Sequence, residues 1–292
     1  MIRQWSCFSA QKIGYTPSLN IVPIAVDNQH LGNRLYQKNT DFISQINSVQ
    51  YSWTARHYVE HEKYSLLDMY RRSGGKKSVL RNRPRAAPTT KALKELVNQL
   101  PKEFDWRSPP DGQSVVSDVR NQLECGCCYA FASLSALESR IRILSNNTVQ
   151  PILSPQDIID CSNYSEGCDG GSTYLTVGKY SEDFGMSEEE CNWYNGKPMG
   201  KCMTPADCKR YYSTDYYYVG GYYGATNEDL MLLELVNKGP FPVSFQVYPD
   251  FFTYFSGIYH HTGIMVHYPM VYIKVCHLLP TDKPDLLFIG PY

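Results

Sequence analysis

Three cysteines stand within four positions of the segment NQLECGCCYAFAS, which covers residues 121–133. Cys125, Cys127 and Cys128 come directly before a stretch with helical periodicity, so we expect a thiol at the start of a helix. Unpaired backbone N–H groups and the helix dipole lower the pKa of a thiol at that position and favour the nucleophilic thiolate. Three interpretations follow, namely a nucleophile, a disulfide cluster and a metal site.

Cys128 is the candidate nucleophile, because the predicted helix covers residues 128–144 and begins with it. Gln122 lies six residues upstream across a tight loop, and its side-chain amide can donate a hydrogen bond to a developing oxyanion. The backbone N–H of Cys128 is the second expected donor. A thiolate beside two such donors is suited to acyl transfer.

A metal site is the rival interpretation of this cluster, because grouped thiolates can bind Zn²⁺ or Cu(I). Tetrahedral zinc needs a second pair of ligands at suitable spacing, and Cys161 and Cys168 supply that pair only at a stretch. We therefore expect no metal. A thiol redox protein built on the same cysteines remains an alternative of another functional class.

The cysteine content indicates an oxidising compartment, because ten cysteines in 292 residues are many for a cytosolic protein. Asn146 and Asn163 each begin an Asn-x-Ser/Thr sequon, which predicts glycosylation on a secretory route. The first residues, MIRQWSCFSAQKIGYT, have no apolar stretch of a signal peptide, so we expect an incomplete amino terminus. Six cysteines lie among short polar and Gly-rich loops, as disulfides do: Cys125, Cys161, Cys168, Cys191, Cys202 and Cys208.

The charge pattern argues against nucleic acid and membrane partners. The net charge is −1, and no apolar run approaches the ~20 residues of a membrane-spanning helix. Between residues 71 and 102, ten Lys or Arg stand against one acidic residue, Glu95. We expect an exposed, flexible linker there, either a solvated loop or a protease-sensitive processing segment. A nucleic-acid patch is disfavoured because no aromatic residues interleave.

Hydrophobic periodicity predicts helices first and strands later, which indicates an α+β protein in two lobes. Residues 40–60 read as an amphipathic helix capped by Thr40 or Asp41.

Two further helices and a strand follow in the second half of the chain. Helices are predicted over residues 153–162, capped by Ser154, and 225–240, capped by Asn227 and ended by Gly-Pro. Residues 241–248 alternate like a strand.

The sequence CGCCY at residues 125–129 fits the papain-type pattern Cys-Gly-Ser/Ala-Cys-Trp/Tyr at four of five positions, with Cys127 in place of the small residue. Together with LPKEFDWR, PILSPQDIIDCS, GCDGGSTYL and FSGIYHHTG, it makes residues 100–264 resemble the catalytic domain of papain-like cysteine peptidases. The upstream segments INSVQYSWTA and LLDMYRRSGG resemble the activation peptide of the dipeptidyl peptidase branch of that family.

The resemblance implies four regions along the chain. Residues 1–29 would be a remnant of an exclusion domain, and residues 30–99 an activation peptide. Residues 100–264 would form a papain-like α+β domain whose second lobe is incomplete, followed by a divergent tail at 265–292.

The resemblance also assigns roles to individual residues. Cys128 would be the nucleophile and Gln122 the oxyanion donor, while Gly170 and Gly171 would line the cleft beside the substrate backbone. A chloride ion would lie near Ser172, Tyr174 and Tyr218. Three disulfides are implied: Cys125–Cys168, Cys161–Cys202 and Cys191–Cys208.

The same resemblance implies an enzyme that releases dipeptides from peptides and proteins with free amino termini. It further implies a lysosomal homotetramer without a metal. The catalytic histidine and asparagine, however, come from Asn-His-Ala and Asn-Ser-Trp-Gly motifs in the family, and neither follows GIYHHTG here. We therefore expect this chain, as written, to be inactive or nearly so. The alternative is a non-catalytic fragment that binds peptides or full-length subunits.

Four histidines lie within the expected distance of the nucleophile. His260 and His261 match a pair that is not catalytic in the family and are expected at the surface or in a pocket wall. His267 is a lone histidine in an apolar tail. His277 stands 149 residues after Cys128, near the expected offset, but its context does not match.

Overall fold

The computed structural model of the 292-residue chain describes residues 34–73, 84–110 and 112–264, together with the backbone of residues 273–277. The predicted exclusion-domain remnant (1–29), most of the tail (265–292) and the centre of the basic linker lie outside the described residues. No helix in the described ranges is long and apolar enough to cross a membrane.

The described residues form one long helix, several short helices and three two-stranded antiparallel pairs: Trp53–Ala55 with Tyr254–Gly257, Met186–Ser187 with Arg210–Tyr211, and Val243–Val247 with Ile273–His277. The helices are α1 Thr40–Val49, α2 Leu66–Arg71, α3 Lys91–Asn98, α4 Cys128–Leu144, α5 Pro155–Cys161, α6 Ser181–Asp183 and α7 Glu228–Lys238, with a π-helix at Tyr174–Tyr180. The strands are β1 Trp53–Ala55, β2 Met186–Ser187, β3 Arg210–Tyr211, β4 Val243–Val247, β5 Tyr254–Gly257 and β6 Ile273–His277. Single 3₁₀ turns lie at Val59–His61, Gly167–Asp169, Glu189–Cys191 and Pro249–Thr253.

The long helix α4 begins and ends where the sequence predicts. Tyr129 and Leu134 are fully buried in the main core cluster. Glu138 is also fully buried, and it accepts hydrogen bonds from the Arg120 guanidinium at 3.1 Å and from the Leu153 backbone N–H at 2.8 Å. Because a buried carboxylate is tolerated only when it is paired, these contacts fix α4 against the loops on either side.

The caps of α5 and α7 are those expected from the sequence. The Ser154 hydroxyl accepts from the Asp157 N–H at 3.1 Å, and the Asn227 side chain accepts from the Leu230 N–H at 2.9 Å. Gly239 ends α7 with φ +108°. Side-chain caps of this kind satisfy amide groups that a helix leaves unpaired at its start.

The helix predicted over residues 40–60 is shorter than expected, because α1 ends at Val49. Its cap is Asn39, which accepts from the Phe42 N–H at 3.0 Å, and not Thr40 or Asp41. Residues 53–55 instead form β1, which pairs with the distant β5. Trp53 is 3% exposed and packs in the same hydrophobic cluster as Phe42. The two residues therefore lie at helical spacing because both are buried in that cluster, and not because one helix carries both.

The linker predicted over residues 71–102 is also more ordered than expected in its described part. Residues 91–98 form α3, whose cap Thr90 accepts from the Leu93 N–H at 3.1 Å. Upstream of it, Ala87 exchanges hydrogen bonds with residues near α7: its N–H donates to the Ala225 carbonyl at 2.7 Å, and its carbonyl accepts from Asn227 Nδ2 at 2.8 Å. Tertiary contacts have therefore overridden a composition that favours a loop.

Candidate active site

The loop before α4 holds the candidate nucleophile in place. Cys125 is disulfide-bonded to Cys168, and the Gly126 N–H donates to the Cys168 carbonyl at 3.1 Å. These bonds bring the Gly167–Asp169 turn beside the start of α4. The other two cysteine pairs implied by the resemblance, Cys161–Cys202 and Cys191–Cys208, are disulfides in the structure as well.

Gln122 and Cys128 face two consecutive carbonyl groups of the upstream segment (residues 34–73). Gln122 Nε2 donates to the Arg72 carbonyl at 2.5 Å and to the Cys125 carbonyl at 2.8 Å. Cys128 Sγ lies 3.3 Å from the Ser73 carbonyl oxygen. The two residues predicted to hold an oxyanion and to attack a carbonyl therefore already contact peptide carbonyls.

The upstream segment covers Cys128, since this residue contacts the Ser73 carbonyl and is only 1% exposed. Its anchor is β1, which pairs with β5 through Trp53, and the Trp53 indole N–H donates to the His260 carbonyl at 3.1 Å. The sequence predicted a linker in this region, either a solvated loop or a processing segment, but did not predict that Arg72 and Ser73 reach Cys128. The capping box that begins α2, in which Ser65 and Asp68 bond reciprocally, was the available signal of an ordered approach.

Gly171 permits close packing behind the site. A Cβ at this position would lie 2.5 Å from the Tyr129 ring, so a larger residue would displace that ring. Gly170 has φ +116°, which a side chain would disfavour. The expectation that both glycines line the cleft stays a prediction.

Residues 211–224 are rich in tyrosine and contribute to a pocket of about 150 Å³. Tyr174 and Tyr218 line this pocket and stack with their ring centroids 4.1 Å apart, whereas Ser172 is not among its lining residues. Two of the three residues expected near a chloride are thus brought together.

The two neighbouring histidines lie in the second lobe, as part of its packing. His260 Nδ1 lies 2.9 Å from the Ser52 hydroxyl of the upstream segment. His261 stacks on Tyr248 and bonds through Nδ1 to Asp250 at 3.0 Å. Burial of Asp250 favours its neutral form, but hydrogen bonds led by that of His261 outweigh burial and lower the pKa of this carboxyl.

The other two candidate histidines are His277 and His267. His277 ends β6, where its backbone pairs with Val243, and His267 lies outside the described residues. No group of three His, Cys, Asp or Glu side chains within the described residues is arranged to hold a metal ion.

A sequence model of a protein family, described as papain family cysteine protease, matches residues 100–274. The chain belongs to the papain family of cysteine proteases. The family resemblance and the papain-like α+β fold expected from the sequence are therefore confirmed.

The relatives within the family include cathepsin C of Schistosoma mansoni, which is 51% identical over 246 residues. That match covers 82% of this chain and 54% of the relative, so the chain spans about half the length of that protein. Dipeptidyl aminopeptidase 1 of Plasmodium falciparum is 28% identical over 228 residues, covering 56% of this chain and 32% of the relative.

Solved structures share the fold. Procathepsin B S9 from Trypanosoma congolense matches with a TM-score of 0.55 and 22% identity, covering 77% of each chain. The recombinant stem bromelain precursor matches with a TM-score of 0.53 and 20% identity, covering 80% of this chain and 70% of the other.

The contact between the upstream segment and the site is expected to weaken in acid. His61 packs against the rings of Tyr36 and Tyr58. Burial, and then the positive charge of Arg72, lower the pKa of His61 from 6.5 to about 4, while Glu60 opposes and His57 adds to the shift. A histidine whose pKa is lowered by folding stabilises the folded upstream segment above pH 6.5, and this stability is lost as the pH falls toward 4.

We expect the folded upstream segment, whose Ser73 carbonyl contacts Cys128, to lose about 2 kcal/mol between pH 7 and pH 5. Unfolding of this segment would then raise the exposure of Cys128 by up to about 30-fold. Labelling by dithiodipyridine, which reacts with thiols in acid, measures this exposure when free cysteine is the reference. His61→Phe keeps the ring packing and removes the titration, so its pH dependence should be flatter. Equal profiles for the two proteins would contradict the prediction.

Proposed function

We propose that this chain carries the catalytic domain of a cysteine peptidase of the dipeptidyl peptidase type, held in an inactive precursor form. The observation that carries the proposal is the placement of Gln122 Nε2 and Cys128 Sγ against the carbonyls of Arg72 and Ser73. The 51% identity to a cathepsin C and the similarity to precursor structures of other papain-like proteases support it.

The proposed reaction is acyl transfer. The Cys128 thiolate attacks the carbonyl carbon of the second residue of a peptide, and the oxyanion is held by Gln122 Nε2 and the Cys128 N–H. Collapse expels the amine, which takes a proton, and leaves the dipeptide as a thioester. Water then cleaves the thioester and regenerates the thiol. Peptides and proteins with free amino termini are the proposed substrates.

The proton transfers in this scheme need an imidazole beside the thiol. His260 and His261 instead bond to Ser52 and Asp250. The sequence holds no Asn-His-Ala motif, so we propose that this chain turns over substrate slowly or not at all.

The pocket lined by Tyr174 and Tyr218 is the proposed site for the side chain of the second substrate residue. A chloride ion would be held beside it by the Tyr218 hydroxyl and the backbone N–H groups of Ser172 and Tyr174. The stacking of the two tyrosines in one pocket supports this assignment. Such an anion would fix the pocket wall and take no part in bond cleavage.

A lysosomal location, a homotetramer and glycans on Asn146 and Asn163 complete the proposal. Both asparagines are exposed, which glycosylation requires. The three disulfides agree with passage through an oxidising compartment.

A second candidate function is that of a peptide- or subunit-binding protein without turnover. It is favoured by the contact of Gln122 and Cys128 with a segment of the same chain, since a site that accepts the carbonyls of Arg72 and Ser73 can accept those of other peptides. Retention of peptides on the purified chain, without their cleavage, would support this function.

A dipeptidyl chloromethyl ketone tests the proposed function directly. Because the upstream segment covers Cys128, the test uses the Trp53→Ala chain, in which this cover is weakened. We expect the reagent to alkylate Cys128 there, and we expect the Trp53→Ala/Cys128→Ala variant to remain unlabelled. Turnover of a dipeptidyl fluorogenic substrate should stay near the background given by Cys128→Ala. Failure to label Cys128 would overturn the assignment of the nucleophile, whereas turnover well above that background would overturn the proposed inactivity alone.

A further inference from the structure

We propose that Tyr194 is a positioning residue for Gln122, through a chain of hydrogen bonds from the Cys127 thiol to the Tyr194 hydroxyl and on to the Gln122 backbone carbonyl. The inference rests on the proposed function of Gln122 as the oxyanion donor. It concerns how the side-chain amide of Gln122 comes to point at a substrate carbonyl.

The Gln122 loop has a strained backbone and needs an external anchor. Leu123 adopts φ +51°, a left-handed conformation that costs a residue with a side chain about 1–3 kcal/mol. Its N–H donates to Asn121 Oδ1 at 2.9 Å. Such a conformation persists only where surrounding contacts enforce it. A Cβ at Gly196 would lie 2.7 Å from Leu123 Cδ1, so the loop that follows Tyr194 packs directly on the strained residue.

The Tyr194 hydroxyl bridges this loop and the residue before the nucleophile. It donates to the Gln122 carbonyl at 2.5 Å and lies 3.2 Å from Cys127 Sγ. Because its proton goes to the carbonyl, the hydroxyl oxygen accepts from the Cys127 S–H. Gln122 is thereby held through its backbone while its side chain donates to Cys125 and Arg72.

Cys127 and Tyr194 both keep their protons at physiological pH. Burial raises the pKa of Cys127 to about 12, although the hydrogen bond between Cys127 and Tyr194 opposes the shift. Burial, followed by the proximity of Cys127, also raises the pKa of Tyr194. Both groups are therefore neutral donors near pH 7, which is the state that the bridge needs.

Tyr194 is itself fixed to the helix that carries the nucleophile. Its ring packs edge-on against Phe131 of α4 with 4.9 Å between centroids, and its N–H donates to Glu189 Oε1 at 2.9 Å. Arg120 lies 3.7 Å from Glu189 and 5.4 Å from the Phe131 ring centre. Tyr194 therefore couples the position of Gln122 to that of Cys128.

The test is the hydrogen exchange of the Gln122 side-chain amide in the full chain, measured by NMR and assigned with Gln122→Glu. Loss of one anchoring hydrogen bond in Tyr194→Phe should accelerate this exchange about tenfold. Cys127→Ala, which removes the first donor, should accelerate it by a smaller factor. Cys127→Ser keeps a donor and should restore the wild-type rate.

Tyr180→Phe is the matched control, because Tyr180 is also buried and its hydroxyl donates to Asp157 at 3.1 Å, away from the Gln122 loop. It should leave the exchange of Gln122 unchanged. An unchanged rate in Tyr194→Phe, or an equal acceleration in Tyr180→Phe, would overturn the proposal. If the exchange responds as expected while the dipeptidyl reagent fails to label Cys128, the positioning role stands and the proposed function fails.

Discussion

Replacing Trp53 by alanine is expected to raise the rate at which iodoacetamide alkylates Cys128 by about a hundredfold or more. Trp53 is 3% exposed, lies about 5 Å from the ring centre of Tyr259 and donates to the His260 carbonyl at 3.1 Å. Truncating a buried aromatic side chain costs about 3–5 kcal/mol. Because Trp53 belongs to the contact that holds the upstream segment over Cys128, this loss favours release of the segment. Each 1.4 kcal/mol changes the release equilibrium tenfold.

The measurement is the time course of alkylation at pH 7, with the modified residue located by peptide mass spectrometry. Trp193→Ala is the matched control, because Trp193 is 69% exposed and its loss should leave the rate unchanged. Cys127 serves as an internal reference, since its raised pKa should keep it unreactive at that pH. An unchanged rate in Trp53→Ala would mean that the upstream segment does not protect Cys128 from alkylation.

Removing the Cys125–Cys168 disulfide is the second change with a large expected effect. The bond closes a loop of 43 residues, so its loss should lower the free energy of unfolding by about 4 kcal/mol in the chain-entropy account. Its position adds a local effect, because Gly126, two residues before Cys128, donates to the Cys168 carbonyl. Chemical denaturation of Cys125→Ser/Cys168→Ser measures the first effect, and labelling of Cys128 measures the second.

The Cys191–Cys208 disulfide offers the comparison. It closes a loop of only 17 residues, so its removal should cost about 3 kcal/mol by the same account. We expect this second variant to label at Cys128 as the wild type does. Equal changes in labelling for the two variants would show that the first disulfide has no particular role at the site.

Local sequence signals allowed the main helices of residues 100–264 to be predicted. Ser154 and Asn227 cap helices that begin where the sequence indicates, because an N-cap is decided by a few adjacent residues. Cys128 begins α4 for a similar reason, since the apolar periodicity starts there. Family resemblance, and not spacing, supplied the disulfide pairs.

Contacts between distant segments account for what the sequence did not reveal. Trp53 carries a helical spacing signal, yet its pairing with β5 decides its conformation, and that partner lies some 200 residues away. Arg72 and Ser73 lie in a basic segment whose composition suggests only a linker. The roles of Arg72 and Tyr194 arise from tertiary approach to Gln122, which no local pattern encodes.

The most direct test of the account measures how fast iodoacetamide alkylates Cys128 at pH 6 in the Trp53→Ala chain, relative to glutathione under the same conditions. A thiol stabilised as its anion at the start of α4 should react faster than glutathione, whose thiol is almost wholly protonated at that pH. We predict a clear excess for Cys128 and no detectable reaction at Cys127. A rate no greater than that of glutathione, in a chain whose site has been uncovered, would contradict the assignment of Cys128 as the nucleophile.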